Sequence, residues 1–266
     1  MQIVKESLGS DTAAYLQGYL RATNPDDDDQ TLPAVIIIPG GSYTHIPQPQ
    51  TETLALAFFN LGYQAFFLRY SVVDEKQPLY PAPLVELAKS FSMLRAKSAD
   101  WHVDFDRVAV AGFSVGGQVA ALYNDYWDAP WLAEQAGAKS EEFKPAAVIL
   151  GYPEISPKLG FPVKEGMLEQ WTDDPDSLAA DEHVTATNAP TFIWVTADDP
   201  LVPSTNSLAY ATALSQAKVP YELHVFRHGP HGLALANHLT AWKREANQPH
   251  VAHWVTLVEE WLNDTL

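Results

Sequence analysis

Gly112-Phe113-Ser114-Val115-Gly116 stands between a run that reads as a strand, residues 107–112, and one that reads as a helix, residues 114–126. A serine at a sharp strand-to-helix turn is forced into strained backbone angles, and only small residues two positions to either side let the flanking chain close around it. Its hydroxyl then projects above a sheet with a helix N-terminus beneath. Gly116, Gly117, Ala120 and Ala121 leave that helix free to approach the sheet closely. The alternative for Ser114 is a helix cap in a glycine-rich turn.

Outward from the turn, the chain alternates short β-rich runs with amphipathic helices. Residues 13–21 read as a strand. Ala34 to Ile38 is an apolar run closed by Pro39-Gly40-Gly41, as expected of a strand buried on both faces. Leu54, Ala57, Phe58 and Leu61 fall on one helical stripe, with Gly62 at its C-terminal stop, and Leu84, Leu87, Phe91 and Leu94 mark a second helix. Further strands are expected at 64–70, 146–151, 191–197 and 221–226, with helices near 204–218 and 252–262. Strands alternating with helices imply a mainly parallel, doubly wound sheet in a single domain over residues 1–266. The proline-rich interval 154–189 breaks this rhythm and is expected to form an irregular excursion over the sheet's carboxyl edge, where ligands usually sit. The acidic run Asp26 to Asp29 reads as a solvated loop rather than a metal site.

Composition narrows the function. With 16 basic against 33 acidic residues in 266, the net charge is −17, which argues against a nucleic-acid partner, because phosphate binding needs clustered Lys and Arg. Neutral substrates suit that field better than polyanions. The longest apolar run, residues 54–59, is far shorter than the roughly 20 residues of a membrane helix. No apolar signal core follows Lys5, so no membrane association and a cytoplasmic location are expected. The absence of cysteine removes disulfides, thiolate nucleophiles and Cys-ligated metals.

A serine hydroxyl is a weak nucleophile near neutral pH and needs a base, with a third group fixing the base's tautomer. Asp198-Asp199-Pro200 follows the strand at 191–197, and Asp199, on the outgoing loop, is preferred as the acid, with Asp198 as a turn residue. The loop after the last strand reads Arg227-His228-Gly229-Pro230-His231-Gly232, and His231 is preferred as the base over His228. His228-x-x-His231 and His250-x-x-His253 have zinc-like spacing but lack an evident third ligand, so no metal is expected. Backbone N–H of Val115 is one donor for an oxyanion, and the loop Pro39-Gly40-Gly41-Ser42-Tyr43 is the source of a second. Trp127, Trp131 and Trp171 could stack on a substrate ring, although core packing is the expected role of each.

The order Ser114, Asp199, His231, with the blocks at 38–43, 106–117, 190–203 and 229–233, resembles the α/β-hydrolase superfamily, in its microbial carboxylesterase and acetyl-xylan-esterase-like branch. The resemblance implies an α/β-hydrolase fold: a mostly parallel central sheet of about eight strands flanked by helices on both faces. It implies a Ser-Asp-His triad without metal or cofactor, and an oxyanion hole using the amide of Gly41 or Ser42 together with Val115. Small-acyl esters, including acetylated sugars, are the implied substrates. Two departures stand out. Pro39-Gly40-Gly41-Ser42 replaces the His-Gly-Gly-Gly of many relatives, and Val115 replaces a smaller residue, which predicts a narrowed acyl pocket. A peptidase of the prolyl-oligopeptidase type and a noncatalytic binding module are the competing readings; the oligomeric state is not legible.

Overall fold

The computed structural model describes residues 1–23 and 30–266; the acidic run Asp26 to Asp29 lies outside the described residues. Eight strands form one sheet in the order β1-β2-β4-β3-β5-β6-β7-β8. From β3 (Leu32–Ile38) through β4 (Gln64–Arg69), β5 (Val103–Phe113), β6 (Ala147–Gly151), β7 (Thr191–Thr196) and β8 (Tyr221–Phe226) the pairing is parallel. β1 (Gln2–Ser7) and β2 (Tyr15–Leu20) extend one edge in antiparallel fashion. This is the mostly parallel sheet expected of an α/β-hydrolase.

The inner strands are buried because helices cover both faces, and the two-residue period of a strand deals its side chains alternately to two cores. Ile36, Ile38, Val108 and Val110 join one core with α2 (Ala82–Ala96), α3 (Val115–Tyr126) and α6 (Thr205–Ala217). Val35, Ile37, Ala109 and Ala111 join the other with α1 (Gln48–Asn60) and α7 (Trp254–Thr265). The stripe expected on α2 is buried as read. On α1 the buried face is Thr51, Leu54, Ala55 and Phe58, whereas Ala57 and Leu61 are only half-buried. The helix is rotated from the expected stripe because Leu61 lies past its last residue and the packing is set by Tyr63 and Trp254 against Phe58.

Two elements escape the sequence reading. β1 is an edge strand with exposed and half-buried residues and so carries no clear apolar alternation, and α4 (Pro130–Ala136) buries only Leu132. Between β6 and β7 the chain forms single turns and α5 (Leu168–Trp171).

The strand order places the switch point. From β3 the chain moves to β4 on one side and then returns to β5 on the other, so the loops after β3 and β5 diverge at the carboxyl edge and leave a crevice between them. The close packing of α3 on the sheet holds one wall of that crevice. A Cβ on Gly112 would stand 2.3 Å from Gly116 O and 2.6 Å from Ala120 Cβ, and one on Gly116 would stand 2.2 Å from Ile38 O. Gly112→Ala is therefore expected to cost about 3 kcal/mol by overpacking, lowering Tm by about 6–12 °C in thermal unfolding.

Candidate active site

Ser114 occupies the turn between β5 and α3 with φ 57° and ψ −127°, a conformation that L-residues rarely adopt. Its backbone is held on both sides. The Ser114 N–H donates to Gly151 O at 3.1 Å, and its carbonyl accepts from the amides of Gly117 at 2.8 Å and Glu154 at 3.0 Å. The side chain is left at the floor of a cleft of about 710 Å³ lined by Gly40, Gly41, Ser42, Tyr152, His231 and Trp242, among others.

Two aspartate–histidine pairs lie side by side at the ends of β7 and β8. His231 Nε2 is 2.7 Å from Ser114 Oγ, and His231 Nδ1 is 2.7 Å from Asp199 Oδ2. The Asp199 side chain is fully buried and that of His231 is 12% exposed. The other Asp199 oxygen accepts the amides of Leu201 at 2.9 Å and Val202 at 3.1 Å, so the Pro200 turn closes around the carboxylate. Asp198 points outward to His228, and both are exposed; Asp198 Oδ1 also accepts the Gly229 amide at 3.0 Å. His228 holds the Asp198 carboxyl below the ordinary aspartate value. The outer pair thus ties the two loops together, while the inner pair reaches Ser114. The two histidines of the His228-x-x-His231 spacing turn to different carboxylates. Among the described residues no cluster of three or more His, Asp or Glu could hold a metal.

Tyr152, which sequence reasoning missed, fixes the imidazole. It has φ 38°, and its ring meets His231 edge to face at 5.0 Å. Its hydroxyl accepts the Ala234 amide at 3.0 Å, and burial raises its pKa. Its only sequence signal is its place immediately after β6, beside the serine turn.

The loop after β3 carries three consecutive left-handed residues, Gly41 at φ 118°, Ser42 at 52° and Tyr43 at 59°. At Gly41 only glycine fits, since a Cβ would lie 1.9 Å from His45 O. Gly40 lies against the nucleophile, with 2.9 Å between Ser114 Cβ and the point where a Cβ on Gly40 would stand. Tyr70 donates to Pro39 O at 2.8 Å, and Thr44 N–H donates to Gly41 O at 3.0 Å, so the loop is pinned at both ends. Among the described residues, the amides of Gly41, Ser42 and Val115 are spent on no hydrogen bond within the protein. The Val115 side chain is fully buried in the core and does not line the cleft. Its bulk is taken up in the core and forms no part of the cleft wall, so it does not narrow this cleft as expected.

Behind Ser114 lies a closed aromatic cluster. Tyr43 Oη is 2.6 Å from Tyr80 Oη and lies 2.9 Å from both Val115 O and Gln118 Oε1, and its ring meets Trp171 at 4.8 Å. Trp171 is a core residue; Trp127 donates to Thr187 O, and Trp131 packs on Tyr126, so none of the three tryptophans singled out from the sequence reaches the cleft. Glu154 is fully buried, and neither its carboxyl oxygens nor the Trp171 indole N–H has a hydrogen-bond partner among the described residues. Burial raises the Glu154 pKa from 4.5 to about 9, so the folded protein keeps this proton at neutral pH while the unfolded chain releases it. The contribution to stability is therefore present in full below about pH 4.5 and is lost as pH rises toward 9, at up to about 1.4 kcal/mol per pH unit. Glu154→Gln is expected to raise Tm relative to the unchanged protein more at pH 8 than at pH 5, as read by thermal unfolding at the two pH values.

Comparison with known proteins places these features in a family. Residues 20–155 match the BD-FAE family. A solved structure from Lactobacillus plantarum WCFS1 is 53% identical, with 100% of this chain and 99% of that chain covered and a TM-score of 0.83. The carboxylesterase Cest-2923 of the same organism is 33% identical, with 99% and 98% covered and a TM-score of 0.92. Endo-1,4-beta-xylanase B of Butyrivibrio fibrisolvens is 30% identical over 221 residues, covering 79% of this chain and 34% of that protein. The chain spans between about a third and a half of the length of the curated relatives it matches. No helix among the described residues is long and apolar enough to cross a membrane. With its serine turn at the crest of a mostly parallel sheet and its match to BD-FAE over half its length, the chain belongs to the carboxylesterase and acetylxylan-esterase-like α/β-hydrolases.

Proposed function

We propose that the protein is a serine carboxylic-ester hydrolase whose triad is Ser114, His231 and Asp199. The observation that carries this reading is the continuous chain of contacts from Ser114 Oγ through both imidazole nitrogens to a fully buried carboxylate. Asp199 accepts from Nδ1–H and so leaves Nε2 as the basic nitrogen facing the serine. His231 takes the Ser114 proton as Oγ attacks the ester carbonyl. The oxygen of the tetrahedral adduct is stabilised by the Val115 amide and an amide of Gly41 or Ser42. The carbon–oxygen bond to the alcohol then breaks, and His231 hands its proton to the departing oxygen. Water, deprotonated by the same histidine, cleaves the acyl-enzyme and releases the acid.

Small acyl groups such as acetyl fit best. Tyr43, whose hydroxyl lies 2.9 Å from Val115 O, packs with Tyr80 and Trp171 into a ring cluster beside the serine turn, and a long acyl chain on that side would have to displace it. No carboxylate is among the cleft-lining residues, so apart from the buried Asp199 behind His231 the wall that a substrate meets lacks the negative charge that dominates the chain as a whole.

Ser114→Ala is expected to lower kcat by at least about a thousandfold with the fold retained, and to abolish labelling by a fluorophosphonate. Ester turnover at an unchanged level would remove Ser114 from the mechanism. His231→Ala should match that loss, whereas His228→Ala should stay within about threefold of the unchanged protein, since its pair is exposed to solvent. A rate series from acetyl to octanoyl esters should fall with chain length; a preference for octanoyl would overturn the small-acyl reading.

A further inference from the structure

A second cavity, of about 320 Å³, lies where α2, α3 and α4 meet the chain between β6 and β7. Tyr80, Tyr126 and Trp131 line it with Leu84, and none of its lining residues belongs to the cleft above Ser114. Tyr80 is buried, whereas Tyr126 and Trp131 are half-buried. The rings of Tyr126 and Trp131 stand 5.7 Å apart at 67°, so they wall adjoining sides of one space. Three aromatic rings on one concavity form a box, and each ring face is negatively polarised.

The protein itself holds the box in place. Tyr80 Oη is 2.6 Å from Tyr43 Oη, and the Tyr80 amide donates to Trp171 O at 2.8 Å. Tyr126 also packs on His183, with ring centroids 5.2 Å apart. At the rim the Thr172 hydroxyl accepts the Asp174 amide at 3.0 Å and donates to Asp174 O at 3.1 Å, and the Ser177 hydroxyl donates to the same carbonyl at 2.6 Å.

Charge says what the box takes. Elsewhere five aromatic rings each have one of the chain's own cations over them: Lys5 over Tyr15, Arg21 over Phe59, Arg95 over Phe105, Lys144 over Trp127 and Lys243 over Trp242. Among the described residues no Lys or Arg lies over Tyr80, Tyr126 or Trp131, and none lines the cavity. Lys76 and Lys89 line a neighbouring recess that shares Pro81 and Gln135 with the cavity, but not the cavity itself. The rim segment carries Asp173 and Asp174, both exposed and in no ion pair among the described residues, while Asp176 pairs with Lys158. Burial, Asp125 and Asp174 together raise the Tyr126 pKa to about 12, which places carboxyl groups close to the box. On a chain of net charge −17 the wider field also favours a cation. An ammonium with N–H groups would need acceptors inside the cavity, and no carboxylate lines it. A fully methylated nitrogen needs none.

We propose that Tyr80, Tyr126 and Trp131 form a binding site, separate from the active site, for a small quaternary ammonium ligand. The cationic head sits against the three rings, and the carboxylates of Asp173 and Asp174 attract it from solvent.

The test uses choline and its neutral isostere 3,3-dimethylbutan-1-ol, followed by the indole N–H resonance of Trp131, which is identified by its loss in Trp131→Phe. Choline titrated into the unchanged protein at constant ionic strength is expected to shift that resonance saturably, with a Kd about three- to thirtyfold below that of the isostere. Equal affinities would overturn the cationic assignment in favour of a plain apolar pocket. No saturable shift with choline, or the same shift with sodium chloride, would overturn the site. Saturation transfer to the choline methyl protons should be lost in Trp131→Ala and kept in Trp242→Ala, whose ring belongs to the active-site cleft and already carries Lys243. Transfer kept in the first variant or lost in the second overturns the assignment. The comparison of the two ligands on the unchanged protein decides the matter even if Trp131→Ala fails to fold.

Discussion

Three backbone hydrogen bonds keep Ser114 in a left-handed conformation at the end of β5, and most of what surrounds the site follows from satisfying them. Gly151 must bring its carbonyl alongside, which requires β6 to run parallel to and in register with β5. Gly117 and Glu154 must both turn their amides toward the Ser114 carbonyl, which commits the first turn of α3 and the chain leaving β6 to fixed paths. The strain of a non-glycine residue at positive φ persists because these neighbours over-determine it. The same requirement explains the glycines on either side, where each absent Cβ is replaced by backbone from the adjoining element.

A second consequence concerns selection between similar side chains. Asp198 and Asp199 are adjacent, and His228 and His231 are three residues apart, yet each aspartate takes a different histidine. Alternating direction along the chain separates them: one pair faces the core beside Ser114, and the other faces water. The inner carboxylate is fixed by amides and shielded from competing solvent, which is what orients an imidazole; the outer pair braces the two loops. Tyr152 reinforces the inner pair from the side, at the cost of a left-handed residue of its own.

The crevice between the loops after β3 and β5 also separates two environments. Behind the serine lie tightly packed aromatic rings, with a carboxyl that keeps its proton for want of water or a counter-charge. In front lies an open cleft with exposed apolar side chains, a single lysine and no carboxylate, on a protein of net charge −17. The long-range field and the local lining thus differ, and the local lining is what a bound ligand meets.

The α/β alternation, the strand positions of the inner sheet, and the Ser114, Asp199 and His231 candidates were legible in the amino-acid sequence, because buried parallel strands, glycine-flanked turns and strand-end loops each leave a local pattern. β1 and α4 were not, since neither buries enough apolar surface to impose a period. Trp131 packs on Tyr126, as the packing role expected of it requires, while the Val115 side chain, expected to narrow the acyl pocket, is buried in the core and leaves only its amide for the site. Tyr152 and Glu154 acquire their significance only in three dimensions: they are distant from Ser114 in sequence and carry no motif, and the parallel register of β5 and β6 is what brings the chain leaving β6 beside the serine turn. Chain-local chemistry therefore determined which groups could react, and tertiary packing decided which of them face one another, because contact between loops more than a hundred residues apart is a property of the sheet order and not of any local run.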